Sequence, residues 1–444
     1  MKLIRLLCLA LCLCLLPLSM AGAAGAEIPA ALRFTQTQTR TPLDGNQEII
    51  ITLPKTALPA VDEEIAGLVE GLRAEGRKHL TVKGTSRMPA RLDVGANIFR
   101  TGTRWMSFLV LGRVAAEAQQ LWTAADCRVF NMETGERIAL TDVVSEEGFA
   151  FLQAECRRQL AAFYPEQADE ALLDALTAAE ALKETPFILT PGHISLYWPA
   201  AELYPQRKAA LVHVDIYYPD LWDAMTETAR TETDCSRYTL VAMTYDDGPM
   251  RGNSDRLMNW LRLYGAQATF FLIGDRLEQG SYLVHREYEA NHLVASHNWA
   301  HVYDGITAEK AIKWKNRYDE TLLDMIGVKP TMMRAPGGND YHFLDAGIGL
   351  PVIHWNRLTQ DATAPEETLK DYYKMAMRTY SVEDGTIILM HDSCAYVDRY
   401  AEIYLPKMEE RNMLLVTVAD MAAVRRVTLP TDRSVNRITE DGVE

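Results

Sequence analysis

The chain has 444 residues and a formal net charge of -15. That length favours two domains over one. The acidic balance argues against a nucleic-acid partner.

The N-terminus sets Lys2 and Arg5 before an apolar run from Leu6 to Leu16 that Pro17 closes. Ala21-Gly-Ala23 and Ala24-Gly-Ala26 follow as cleavage sites. Residues 1–26 read as a secretory signal peptide, because the apolar core is too short to span a bilayer. The expected location is outside the cytoplasm, secreted or on the cell wall, with no stable membrane span after cleavage. Of seven cysteines, Cys8, Cys12 and Cys14 leave with this leader. Cys127, Cys156, Cys235 and Cys394 remain, scattered and without metal-type spacing. Disulfides and buried free thiols both fit them.

Residues 27–230 carry no catalytic signature. Gln47 to Leu53 reads as a strand, and Val61 to Lys78 as a helix with Ile65, Leu68, Val69 and Leu72 on one face. Trp105 to Val114 and Cys127 to Phe130 read as strands, and Asn131 to Arg137 as a hairpin-type turn around Gly135. Glu147 to Phe163 and Ala168 to Lys183 look helical. Pro186 to Tyr197 and Val212 to Tyr217 return to strand character, which makes an α+β domain. His79, His193 and His213 have no partners at ligand spacing and read as structural. Thr226 to Asp234 is polar and weakly patterned, and is the expected linker.

Within this first domain, Phe130 to Val143, Phe187-Ile-Leu-Thr-Pro-Gly-His-Ile-Ser-Leu-Tyr-Trp198 and Val212-His-Val-Asp-Ile216 resemble extracytoplasmic RsiV-like domains. Such domains occur in lysozyme-sensing anti-sigma factors and ahead of some secreted peptidoglycan deacetylases. The resemblance implies binding of a wall component or a protein. A packing domain that only supports its neighbour is the other reading.

From Tyr238 strand and helix patterns alternate, as in a parallel sheet or barrel. The strands expected are Tyr238 to Tyr245, Gln267 to Gly274, His292 to Ser296, Thr331 to Arg334, Leu350 to Trp355, Gly385 to Met390 and Met413 to Val418. Ser254 to Tyr264 and Ala308 to Ile326 are helices between them. The first strand ends on Asp246 and Asp247 before Gly248-Pro249. Adjacent carboxylates at a strand end are costly unless a cation sits beside them. Alone, Asp-Gly is more often an ordinary acidic turn. His297-Asn-Trp-Ala-His301 spaces two imidazoles by one helical turn. A surface pair is the commoner meaning of that spacing. With Asp247 the two histidines make a mixed nitrogen and oxygen set that suits Zn²⁺, and Co²⁺ or Mn²⁺ fit it too.

Thr244-Tyr-Asp-Asp-Gly-Pro249, His297 to His301, Arg334-Ala-Pro-Gly-Gly338, Trp355 to Asp361 and Leu389-Met-His391 together resemble the ordered motifs of the NodB-homology polysaccharide deacetylases, carbohydrate esterase family four. Motifs in order are far more specific than any one alone. The resemblance covers roughly residues 236–425 and implies α/β architecture, a distorted (β/α)7 barrel behind the α+β domain. It implies a metal-dependent hydrolase that removes acetyl groups from glycans. On it, Asp246 is the base and Asp247, His297 and His301 hold one divalent ion, Zn²⁺ before Co²⁺ or Mn²⁺. Arg334 orients Asp246, and His391 is the general acid with Asp361 setting its charge. Tyr245, Pro336, Trp355 and Leu389 contact substrate. Asn298 and Ala362 depart from the family's usual residues, which bears on substrate rather than on the proton-transfer groups.

The leading expectation is a secreted deacetylase of peptidoglycan amino sugars. Chitooligosaccharides or O-acetylated xylan are the alternative substrates, and a wall- or lysozyme-binding protein with weak catalysis is the alternative class. Residues 426–444 are polar and charged and are expected to fray.

Overall fold

The computed structural model describes residues 25–85, 89–117, 119–205, 210–359, 361–363 and 382–444. The expected leader falls almost wholly outside them.

The first module is a five-stranded sheet in sequential order. Its strands are β1 (Thr35–Leu43), β2 (Gln47–Lys55), β3 (Ala90–Arg100), β4 (Trp105–Ala116) and β5 (Gln119–Asn131). Only β2 and β3 run parallel, so their connection must cross a face. Helix α1 (Pro59–His79) makes that crossing. Pro59 opens it where no amide hydrogen is needed, and Arg77, Lys78 and His79 sit at its negative end. Its Val61, Ile65 and Val69 are buried. Every residue of β4 is buried, because both faces of the sheet are covered.

A smaller antiparallel sheet follows: β6 (Phe187–Leu189), β7 (His193–Pro199) and β8 (Leu211–Tyr217). Helix α2 (Phe149–Phe163) packs on it through Leu152, Cys156 and Leu160. The turn at Gly135 is present, with φ of 78° and its amide donating to the Asn131 carbonyl at 2.7 Å. The helix expected over Ala168 to Lys183 is instead two, Glu170–Leu176 and Ala179–Glu184, the first capped by Asp169. The expected linker is not one. Thr226 caps a helix at Glu227–Glu232, and Glu232 is buried against Arg104.

The second module centres on β9 (Thr239–Gly248). Helix α3 (Asn253–Tyr264), β10 (Thr269–Leu272), α4 (Ser281–Glu289), β11 (Leu293–Ser296) and α5 (Ala308–Ile326) follow in alternation. All four residues of β10 are buried, the continuous apolar run of a strand covered on both faces. Gly265 and Gly327 end α3 and α5 in the left-handed conformation. β9 pairs with β10, β10 with β11, and single parallel bridges carry the sheet from Ser296 to Met333 and from Met333 to Val352. Val352 opens β12 (Val352–Ile353), which runs on into β13 (Arg357–Leu358). β13 pairs with β14 (Thr386–His391), and β14 returns to β9, closing the ring. Helix α6 (Val397–Glu410) leads to β15 (Met413–Val416), which shares β9's edge with β10 before α7 (Val418–Val424). Of the parallel sheet or barrel that the alternation allowed, the result is the distorted barrel that the family resemblance implied.

The C-terminal segment does not fray. Ser434–Val435 forms a short strand beside β12, and Val435 and Ile438 are fully buried. Two-residue strands give no periodicity to read.

The modules share a charged, buried interface. Asp93 on β3 takes both terminal nitrogens of Arg262 on α3 at 2.8 Å, with Arg286 at 3.5 Å. Arg113 on β4 meets Glu289 on α4 at 2.7 Å. His193 on β7 meets Asp420 on α7 at 2.6 Å. His193 and His213 are therefore structural. The four cysteines are free thiols, which settles the open choice against disulfides.

Candidate active site

The polar residues singled out in the sequence stand at the C-terminal ends of barrel strands, where such folds keep their chemistry. Asp246 and Asp247 end β9, His297 follows β11, Arg334 follows the Met333 bridge, and His391 ends β14 in register with Asp246. Asp361 lies in a short turn, Asp361–Thr363. In an extended strand two adjacent carboxylates would point to opposite faces. Asp247 escapes this with φ of 73°, a left-handed conformation that Asp tolerates. Both carboxylates thus reach His297: Asp246 Oδ2 at 3.8 Å and Asp247 Oδ1 at 3.5 Å from its Nε2.

One donor from each of Asp247, His297 and His301 lies within 4.8 Å of the others. Among the described residues no other group of three such side chains comes so close. His297 Nδ1 sits 2.9 Å from the Arg334 carbonyl oxygen. A proton donated there leaves Nε2 with its lone pair facing Asp247, the arrangement a metal-ligating histidine needs. His301 Nε2 is 3.1 Å from the same Asp247 oxygen. That oxygen is buried and has no hydrogen-bond partner. An orphaned buried carboxylate oxygen is costly, and a cation between the three side chains removes the cost.

Asp246 is 3% exposed and Arg334 fully buried. The guanidinium donates to Asp246 Oδ1 and Thr244 Oγ1 at 2.7 Å, and to the carbonyls of Ile353 and His354 at 3.0 and 2.8 Å. It lies 4.2 Å from the Phe271 ring centroid. Such a fixed fork leaves Asp246 one orientation. Asp361 holds His391 twice: Oδ1 is 2.8 Å from Nδ1, and Oδ2 accepts the backbone amide at 2.6 Å. Burial lowers the imidazole, but Asp361 outweighs it and raises the group to about 9.

Of the residues expected at the substrate, Leu389 shares the His391 face of β14 by the two-residue period. Trp355 stacks on His354 at 3.8 Å, with the Arg334 guanidinium 5.6 Å from its ring. Pro336 is buried at the start of the Pro336–Gly338 turn. Tyr245 is a correction. It is fully buried, bonded to Tyr404 and stacked on Phe270 at 5.4 Å. Strand alternation aims it away from the face that carries Asp246.

Sequence reading missed Thr244, two residues before Asp246 on the same face, and Asp392. Asp392 is fully buried, accepts Ser254 Oγ at 2.6 Å and donates its amide to the Asp246 carbonyl. Burial, with Asp247 and Asp246 adding and the Ser254 bond opposing, pushes its carboxyl up to about 7. A Cβ on Gly248 would come 2.3 Å from Asp392 Oδ2, so the Asp-Asp-Gly turn needs its glycine. The signal available was a further acidic residue directly after His391.

Two imidazoles and a carboxylate that could hold a cation thus stand between a carboxylate oriented to take a proton and a carboxylate-paired imidazole able to give one. Residues 233–344 match the family model for polysaccharide deacetylase. The peptidoglycan-N-acetylglucosamine deacetylase PgdA of Listeria monocytogenes is 30% identical over 184 residues, 41% of this chain and 38% of that protein. The peptidoglycan-N-acetylmuramic acid deacetylase PdaC of Bacillus subtilis is 25% identical over 201 residues, 44% and 42% of the two chains. The solved structure of PdaC superposes with a TM-score of 0.40 at 25% identity, covering 42% of this chain and 92% of that one. Over residues 233–344 the chain is similar to polysaccharide deacetylase domains. It spans about two fifths of the length of PgdA and PdaC.

Proposed function

We propose that the protein is an extracytoplasmic, metal-dependent deacetylase that hydrolyses N-acetyl groups of peptidoglycan amino sugars and releases acetate. The observation that carries the reading is the convergence of Asp247, His297 and His301 within 4.8 Å, beside the Asp246–Arg334 and His391–Asp361 pairs. Relatives that act on peptidoglycan, and the leader-like N-terminus, favour the substrate and the location.

Asp247, His297 and His301 would hold the ion, Zn²⁺ on donor type. When bound, a divalent cation supplies Lewis-acid polarisation of the acetyl carbonyl and makes water more acidic. Asp246, oriented by Arg334, accepts the proton of the attacking water. His391 starts protonated because Asp361 holds its charge, and gives that proton to the departing nitrogen. Trp355 and Leu389 wall the space for the acetyl methyl group. The buried charges that join the first module to the barrel favour a supporting role for that module over free-standing wall binding.

Acetate release, assayed with Zn²⁺ on peptidoglycan fragments, chitooligosaccharides and acetylated xylan in parallel, tests the reading. The expected result is release from peptidoglycan above the other two. Release from xylan alone would replace the N-acetyl assignment with an ester one, and no release from any of them would end the reading.

A further inference from the structure

The open side of the site carries an aromatic ring that none of the recognised motifs includes. Tyr303 is 50% exposed, yet it is held in place. Its ring meets His301 edge-on, 5.0 Å between centroids. It also lies across the turn after Arg334: a Cβ on Gly337 would come 2.6 Å from it, and Gly337 has φ of 64°. Asn339 Nδ2 donates to the Tyr303 carbonyl at 2.8 Å, tying its loop to that turn. The turn therefore uses a glycine where a side chain would displace the ring.

The position of the ring fixes what it can meet. Asp246 and Arg334 are buried at the barrel centre, whereas the side chains of Asp247 and His301 are 21% and 27% exposed. The site thus opens on the His301 side, and Tyr303 stands at that rim. Exposed Asp304 follows it and Asn339 bonds its carbonyl, so polar groups flank the ring. A rigid aromatic face in a polar rim suits a ligand with one apolar face and a polar edge. A pyranose ring is such a ligand, with carbon-bound hydrogens on its faces and hydroxyls around it.

We propose that Tyr303 is a stacking platform for the sugar unit next to the one being deacetylated. This rests on the deacetylase reading above. The acetyl group has to reach the buried base, so a glycan unit over Tyr303 lies outside the acetyl pocket and belongs to a neighbouring residue of the chain. Tyr303 would then set a preference for oligosaccharides over single sugars without taking part in the chemistry.

The test compares wild type, Tyr303→Ala and Tyr303→Phe on N-acetylglucosamine and on its tetramer. KM, kcat and bound zinc are measured for each. Binding of the tetramer to the zinc-loaded proteins is measured by calorimetry. The alanine variant is expected to weaken tetramer binding and raise its KM by ~10-fold, the scale of one modest contact. Its zinc content, its kcat and its handling of the single sugar should stay at wild-type values, and the phenylalanine variant should behave as wild type. Unchanged tetramer binding in Tyr303→Ala, or equal losses in Tyr303→Ala and Tyr303→Phe, would overturn stacking. If the wild type releases no acetate from the tetramer, from peptidoglycan fragments or from acetylated xylan, the deacetylase reading fails by itself, and the calorimetric comparison still decides the stacking.

Discussion

Asp246→Asn is expected to keep its metal and lose turnover by ~10²–10⁴-fold, the range a positioned general base contributes. Asparagine matches the shape of aspartate and still offers an oxygen to Arg334, but it cannot take a proton from water. Asp246 sits on the Arg334 fork at 2.7 Å, so its orientation is fixed and its protonation is the variable that changes. Losing the charge opposite a fully buried Arg334 also costs stability. Melting temperature and zinc content therefore accompany the kinetics. A folded, zinc-loaded variant with kcat within tenfold of wild type would remove Asp246 from the role of base.

The second large effect lies far from the chemistry. Asp93→Asn should destabilise the whole protein by about 3–5 kcal/mol, the cost of breaking a buried ion pair from one side. Asp93 is 6% and Arg262 8% exposed. The variant leaves Arg262 without its bidentate acceptor, while Arg286 keeps Asp255. Burial raises the Asp93 carboxyl, but Arg262 and Arg286 outweigh it and hold the group well below the usual carboxylate range. The sign follows from that depression. The stabilisation is full above the unfolded carboxylate value of about 4 and is lost as pH falls toward the folded one. Urea unfolding at neutral pH should show one transition, shifted to lower urea in the variant. A change below about 1 kcal/mol, or two separate transitions, would mean that the modules do not depend on this contact.

The same two regions show what the sequence could and could not disclose. The barrel strands were legible because buried parallel strands are unbroken apolar runs, and several end on a polar residue that such a run does not need. Asp246, Asp247, His297, Arg334 and His391 stand out for that reason, and His301 by its spacing from His297. Alternation alone predicts that Tyr245 faces away from Asp246; the family resemblance drew it into the site against that rule. β3 was not read as a strand, since Asp93, Gly95, Asn97 and Arg100 interrupt its apolar pattern. Those interruptions are the interface: Asp93 finds Arg262 169 positions away, and no local pattern announces such a pairing. The linker failed for the same cause, because Glu232 looks solvated until Arg104 is found beside it.

Metal dependence is the claim on which the proposed chemistry stands. The direct measurement strips the protein with a chelator, returns Zn²⁺ in steps and follows acetate release from peptidoglycan fragments, with His301→Ala alongside. The expected result is no release without metal, full release at one ion per chain, and neither tight zinc nor release in the variant. Full-rate release from the stripped protein, or wild-type zinc content in His301→Ala, would contradict the assignment.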